Sequence, residues 1–214
     1  FDVNGVANDE TSQFLSDAFV NNATLPVATN APGGRLHVDL FNTAHISYGI
    51  SKVSNTLDSL THDLMHIAEA GMRLFGQSDW RTELNVTLYK HPHTSGTGMG
   101  LSYTQHAGQW LKLFGRLGYN ASDLAGYHGI EQSWSGGLEV RTSVMGRPLV
   151  SGMAYGEHYR PKPETGGDTE QLAEWYIRSS LNEWSYISPF VQWINPMFEA
   201  RNHWISGLRF NFNF

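Results

Sequence analysis

The chain is predicted to be all-β and to fold as a transmembrane antiparallel β-barrel, and three observations predict it. Its last strand is two-faced to the end: Trp204, Leu208, Phe210, Phe212 and Phe214 share one side, and His203, Arg209, Asn211 and Asn213 the other. The same period of two recurs along almost the whole chain after residue 34. The connections between the alternating segments are short and long in turn. In water, an uncovered aromatic strand at a terminus invites edge-to-edge aggregation. In a bilayer the same strand puts apolar residues toward lipid and polar ones toward a lumen.

Composition sets the outer bounds. With 214 residues the chain is one domain or part of one. A net charge of -6, with no basic block, offers nothing to a phosphate backbone, so no nucleic-acid partner is expected. The absence of cysteine removes disulfides, thiolate metal sites and cysteine nucleophiles. No apolar run approaches the roughly 20 residues of a transmembrane helix. The 22 glycines and 13% aromatic residues, against only 16% charged, suit close strands and interfacial girdles. No initiator Met or signal peptide is present, and Phe1-Asp-Val3 resembles the end of a strand. The expectation is a C-terminal portion of something longer.

Residues 1–34 are predicted to be an extracellular or constriction loop with one short helix. Asn8 or Asp9 caps it, and Phe14, Leu15, Ala18 and Phe19 share a face. Asn21 to Gly34, with two prolines and paired glycines, is irregular. From residue 35 to 214 eleven strands are predicted, at about 35–41, 44–52, 65–75, 80–90, 97–105, 109–119, 130–142, 147–158, 169–181, 184–194 and 202–214. Most reach the ~9–11 residues that cross a bilayer at a tilt.

Three strands alternate most clearly. Trp80, Thr82, Leu84, Val86 and Leu88 oppose Arg81, Glu83, Asn85, Thr87 and Tyr89. Leu111, Leu113, Leu117 and Tyr119 oppose Lys112, Phe114 and Arg116. Ala173, Trp175, Ile177 and Leu181 oppose Glu174, Tyr176 and Arg178. An arginine toward lipid at the midplane costs about 2–4 kcal/mol, so the charged side of each strand is expected to face inward.

The connections sort by side. Asn42–Thr43, Gly76–Asp79, His106–Gly108, Ser143–Gly146 and Asn182–Glu183 are short, as on a periplasmic side. Val53–Leu64, His91–Gly96, Asn120–Gly129 and Arg160–Gly167 are longer, and Asn195–Arg201 is intermediate. Eleven strands cannot close an antiparallel barrel of even number, so an odd number is expected upstream.

Three stretches then carry a family resemblance. They are Val6-Ala-Asn-Asp-Glu-Thr-Ser-Gln-Phe-Leu15 with Ala18-Phe-Val-Asn-Asn22; Ser133-Trp-Ser-Gly-Gly-Leu138 with Gly146-Arg-Pro148 and Ala154-Tyr-Gly156; and Glu174-Trp-Tyr176 with Ile187-Ser-Pro-Phe-Val-Gln-Trp-Ile-Asn-Pro196 and the final strand. The chain resembles the carbohydrate-selective porins of the OprB type. That resemblance implies a sixteen-stranded barrel in the outer membrane of a Gram-negative bacterium, passing monosaccharides by diffusion. The terminal Phe214 is similar to the signal read by the outer-membrane assembly machinery. Phe190 departs from the pattern, standing where an acidic residue is expected, and pore-lining residues of upstream strands lie outside this chain.

The residues expected to line the pore and meet the permeant are Glu69, Arg73, Arg81, Glu83, Lys112, Phe114, Arg116, Glu139, Arg141, Glu174, Tyr176, Arg178, Phe190 and Arg209. Sugar hydroxyls take charge-assisted hydrogen bonds, and sugar ring faces stack on aromatics. The same charges could instead pair across strands and stiffen the wall. The 4–34 segment could fold inward, or lie outside as a surface or interprotomer contact. Asn8, Asp9 and Glu10 form an oxygen-rich cluster that helix capping also explains. His62 with His66, and His91 with His93, are expected to be loop histidines without a third ligand, so neither a metal nor a cofactor is expected. Two other classes stay in view: an outer-membrane barrel enzyme, and a soluble all-β binding protein. No nucleophile elbow surrounds any serine, and no glycine-rich phosphate loop is present, so an enzyme is not expected. A general, non-selective porin and a homo-oligomer are the remaining alternatives within the favoured class.

Overall fold

The computed structural model describes residues 7, 9, 12–25, 31–53, 63–77, 80–161, 167–197, 199 and 201–212. Among these residues, eleven strands form one antiparallel sheet in which each pairs with its neighbours in sequence. They are β1 (Gly33–Leu40), β2 (Ala44–Lys52), β3 (Leu64–Gln77), β4 (Trp80–Lys90), β5 (Thr97–Ala107), β6 (Leu111–Asn120), β7 (Gln132–Val144), β8 (Arg147–Arg160), β9 (Asp168–Asn182), β10 (Ser185–Asn195) and β11 (His203–Phe212). Among the described residues, β1 and β11 are the two open edges of this sheet. Asn213 and Phe214, which end the predicted last strand, lie outside the described residues.

The connections follow the expected sorting. Residues 41–43, 78–79, 108–110, 145–146 and 183–184 join strands at one end. The opposite end carries 53–63, 91–96, 121–131, 161–167 and 196–202, all longer. Two left-handed residues in succession, Met145 and Gly146, make the tight turn between β7 and β8, and the backbone twist of such a turn matches that of the strands.

The registers divide the sheet into two faces. One row on the outer face reads Val38, Ile46, Ala70, Val86, Leu101, Leu117 and Trp134, each opposite the next. Leu36, Leu88, Met153, Trp175, Leu208 and Phe210 belong to the same face, and all are exposed. The inner face carries Glu69, Thr87, Arg116, Ser135 and Glu174, all buried. Period-two alternation has thus put the apolar residues outside and the polar ones inside, the reverse of a water-soluble sandwich.

The inner face is concave. Phe14 stands 5.6 Å from the ring of Phe114 on β6 and 5.1 Å from that of Tyr176 on β9. Backbones three strands apart in a flat sheet are roughly 14 Å apart, and these rings meet because Phe114 leans across Gly137 on β7 and Tyr176 across Gly152 on β8. Glycine makes room for such convergence. Tyr89, Phe114, Tyr176 and Phe190 each face a glycine directly across the ladder: Gly98, Gly137, Gly152 and Gly207. A Cβ at any of those glycines would strike the ring opposite.

Among the described residues, two short helices accompany the sheet. The expected first helix shrinks to α1 (Asp17–Val20). A turn closes earlier, with Gln13 N–H donating to Asp9 O at 2.8 Å, but the wall prevents it from extending. Leu15 and Ser16 donate their N–H groups to Glu174, and the carbonyls of Ser12 and Gln13 accept from Arg178 and Arg209. Those backbone groups are then lost to an i→i−4 ladder. Asn8 and Glu10 lie outside the described residues. The second helix, α2 (Ser122–His128), occupies the connection read as one of the longer ones, Asn120–Gly129, and ends at Gly129 in a left-handed conformation. Two turns are too short for the 3.6-residue period to register.

Candidate functional site in the concave face

All fourteen residues expected to line a pore fall on the concave face, in two groups. Glu174, Tyr176, Arg116, Phe114 and Glu139 are almost wholly buried. The segment 12–25 covers the first four, and Tyr176 lies against Glu139. Glu174 accepts the N–H of Leu15 at 2.7 Å, that of Ser16 at 2.9 Å and the amide of Gln192 at 2.9 Å. Arg116 donates to the carbonyls of Phe19 and, at 2.8 Å, Ala7. Arg178 donates to Ser12 O, and Arg209 to Gln13 O at 2.9 Å. Phe14 and Phe19 complete an aromatic cluster with Phe114 and Tyr176, against which Phe190 packs. A carboxylate that takes main-chain N–H groups, beside guanidiniums that take main-chain carbonyls, holds a peptide segment by its backbone.

The second group lies toward the short-turn end, where Arg73, Arg81 and Arg141 stay partly exposed around largely buried carboxylates. Arg73 and Arg81 both reach Glu83, at 3.2 and 2.9 Å. Arg141 pairs with Glu139 at 2.8 Å, and Lys112 stands opposite Glu139 in the register. Glu69 is held by Arg35 at 3.5 Å and by His45 at 3.3 Å. Arg35, His37, Asp39 and His45 belong to this group although the sequence did not single them out, and Asn85, read on the polar side of its strand, joins them. The signal was present: Arg35, His37 and Asp39 alternate with Leu36, Val38 and Leu40.

The long-connection end is tied to residues 22–25 by polar contacts. The Tyr89 hydroxyl lies 2.7 Å from Thr24 O and 2.6 Å from Asn120 Oδ1, its one proton serving either acceptor, and Asn120 donates to Thr24 O at 3.0 Å. Asp123, at the start of α2, accepts from Ser95 N, Ser95 Oγ and Gly96 N at 2.7, 2.6 and 2.7 Å. These bonds, the Ser95 hydroxyl foremost, hold its carboxyl at about 2. His91 is buried against Tyr127, whose ring lies 4.3 Å away, with His93 beside it. Burial, and then the proximity of His93 and His128, lowers its pKa.

His66 is not a loop residue as expected. It lies on β3, on the outer face, and hydrogen-bonds Tyr48 at 2.6 Å. His62 lies outside the described residues. Among the described residues no three His, Asp or Glu side chains are grouped to hold a metal. No described helix is long and apolar enough to cross a membrane, which says nothing of strands. No family model, curated protein or solved structure matches the chain.

Proposed function

We propose that the chain is part of an outer-membrane porin that lets small carbohydrates diffuse passively through a water-filled lumen. The observation that carries this reading is the inverted sheet: an exposed apolar face outside, and a concave, charged face inside. The outer face also ends in aromatic pairs. Trp184 stacks on Phe212 at one end of β10 and β11, and Trp193 stands opposite Trp204 at the other. Eight residues of strand separate Phe212 from Trp204, about 26 Å along the chain and some 20 Å after the usual tilt. That is close to the ~25 Å apolar band between the aromatic girdles of outer-membrane barrels.

In this reading the open edges of β1 and β11 meet further strands in a closed barrel of sixteen. The outer face meets the lipid of a Gram-negative outer membrane, and the Phe214 strand engages the assembly machinery. The barrel could assemble as a homo-oligomer. The segment 12–25 narrows the lumen. Sugars are the favoured permeants because the inner wall offers both charged hydrogen-bonding groups and rings. The resemblance to OprB-type porins points the same way.

One observation favours a general, non-selective porin instead: Glu69, Glu83 and Glu139 all form ion pairs with neighbouring side chains of the same wall. Single-channel conductance of the full-length protein in planar bilayers, titrated with glucose, separates the two. Steady ohmic openings blocked by glucose are the expected result. Openings indifferent to sugars leave the general porin, and the absence of openings overturns both.

A further inference from the structure

The outer face is largely apolar, but two polar patches interrupt it at the long-connection end. The first lies on β7–β9. Glu157 stands on the same side of β8 as the exposed Met153, opposite Trp134 on β7 and Gln171 on β9. Its carboxylate accepts the Trp134 indole N–H at 3.1 Å, the Tyr155 hydroxyl at 2.7 Å and the Gln171 amide at 3.0 Å. A groove of about 450 Å³ opens beside it, walled by Tyr119, Trp134 and Tyr159 among others.

The second patch lies on β2–β4. Lys90, the last residue of β4, is exposed on the same side as Val86 and Leu88. Across the ladder from it stands His66, which hydrogen-bonds Tyr48 at 2.6 Å. Four strand spacings, about 19 Å, separate β4 from β8, so Lys90 and Glu157 do not meet within one copy.

We propose that this end of the outer face is an interface between two copies of the chain, with Lys90 of one copy seated in the groove beside Glu157 of the other. The inference rests on the porin reading, in which both patches stand on a face turned to lipid. Among the described residues lining the groove, Glu157 is the one that carries charge, and it is negative. A lysine suits such a groove, since its apolar stem packs on rings while its ammonium reaches a carboxylate. A carboxylate has about four acceptor positions, and Glu157 has filled three: two on Oε1 by Tyr155 and Gln171, one on Oε2 by Trp134. The fourth, on Oε2, is left for a cation, and the three donors hold the group in place before a partner arrives.

Acyl chains offer neither patch a partner. The ammonium of a lipid headgroup would satisfy Glu157 but would leave Lys90 and the Tyr48–His66 pair uncovered. A second copy uses both patches, because each brings the charge that the other lacks.

The test uses the full-length protein in phospholipid vesicles, prepared as a mixture of isotopically light and heavy copies. A water-soluble carbodiimide joins an amine to a carboxylate only when the two are in contact. Mass spectrometry of the digest is expected to find Lys90 joined to Glu157 between a light and a heavy copy. Lys90→Gln and Glu157→Gln are each expected to abolish that adduct and to raise the concentration for half-association about tenfold, the loss of one charge-assisted bond. Glu183→Gln, in the β9–β10 turn, leaves both unchanged. A monomer that opens channels and yields no such adduct would overturn the interface while leaving the porin intact. A monomer that retains phosphatidylethanolamine in native mass spectrometry, and loses it in Glu157→Gln, would overturn the interface in favour of a lipid headgroup. The adduct in a protein that opens no channels would keep the interface and overturn the porin.

Discussion

Tyr176 on β9 donates a 3.0 Å hydrogen bond to Glu139 on β7, and both side chains are wholly buried. The two are separated by β8, and the ring crosses it at Gly152, the residue opposite both in the register. The missing side chain is what allows a tyrosine to reach a carboxylate two strands away. Phe14 then closes over the tyrosine ring. One glycine therefore underlies the contact between the wall and the segment that covers it.

Gly152→Ala follows directly as a test. The added methyl would meet the Tyr176 ring, which must leave its place and give up both the Glu139 bond and the Phe14 contact. Overpacking of this kind costs about 1–3 kcal/mol. Urea unfolding of the detergent-solubilised protein, followed by tryptophan fluorescence, is expected to show that loss. An unchanged midpoint would mean that the wall relaxes without the tyrosine moving.

Glu174→Gln tests what holds the segment. The glutamine keeps one acceptor but loses the charge that the N–H groups of Leu15 and Ser16 now share. Hydrogen bonds to a charged group contribute about 1.5–3 kcal/mol, so the undocked population is expected to rise at least tenfold. Limited proteolysis between residues 12 and 25 should accelerate accordingly, and under the porin proposal conductance should increase. Unaltered cleavage would place the hold in the packing of Phe14 and Phe19.

Asp123 links α2 to the β4–β5 connection, and its effect depends on pH. The group's folded pKa is depressed to about 2 from 3.8. Its contribution is therefore complete above the unfolded value and is lost as pH falls through the folded one. Protection factors at the amides of Ser95 and Gly96, which remove the intrinsic pH dependence of exchange, are expected to be high at pH 5 and to fall toward pH 2. Asp123→Asn should show low protection at every pH. High protection in that variant would show that the turn holds itself.

Leu208→Arg asks whether the outer face meets lipid. Leu208 is exposed near the middle of β11, between the aromatic pairs. In a bilayer an arginine there costs about 2–4 kcal/mol. Folding into phospholipid vesicles should weaken by that amount, while the same change is harmless on a face that meets water. Equal folding of variant and parent would exclude a lipid-facing β11.

Much of the fold is legible in the chain because a strand has a period of two and one face of each strand is apolar. Trp80 to Tyr89 announces β4 and its faces residue by residue, and all fourteen expected lining residues fall on the side their alternation predicts. α2 was illegible because it is only two turns long. α1 was overestimated because the residues that truncate it, Glu174, Arg178 and Arg209, lie more than 150 positions away.

The sequence by itself determined the strands, their alternating faces and the sorting of connections, since these depend on neighbours a few residues apart. Only the tertiary structure decided which wall residues stay open. The packing of Phe114 and Tyr176 around Phe14 seals Glu174 and Arg116 beneath the backbone of Ala7 and residues 15–19. It leaves Arg35, His37 and His45 facing a cavity. Covering depends on where a distant segment finds partners for its backbone groups, and a local pattern of side chains carries no record of that.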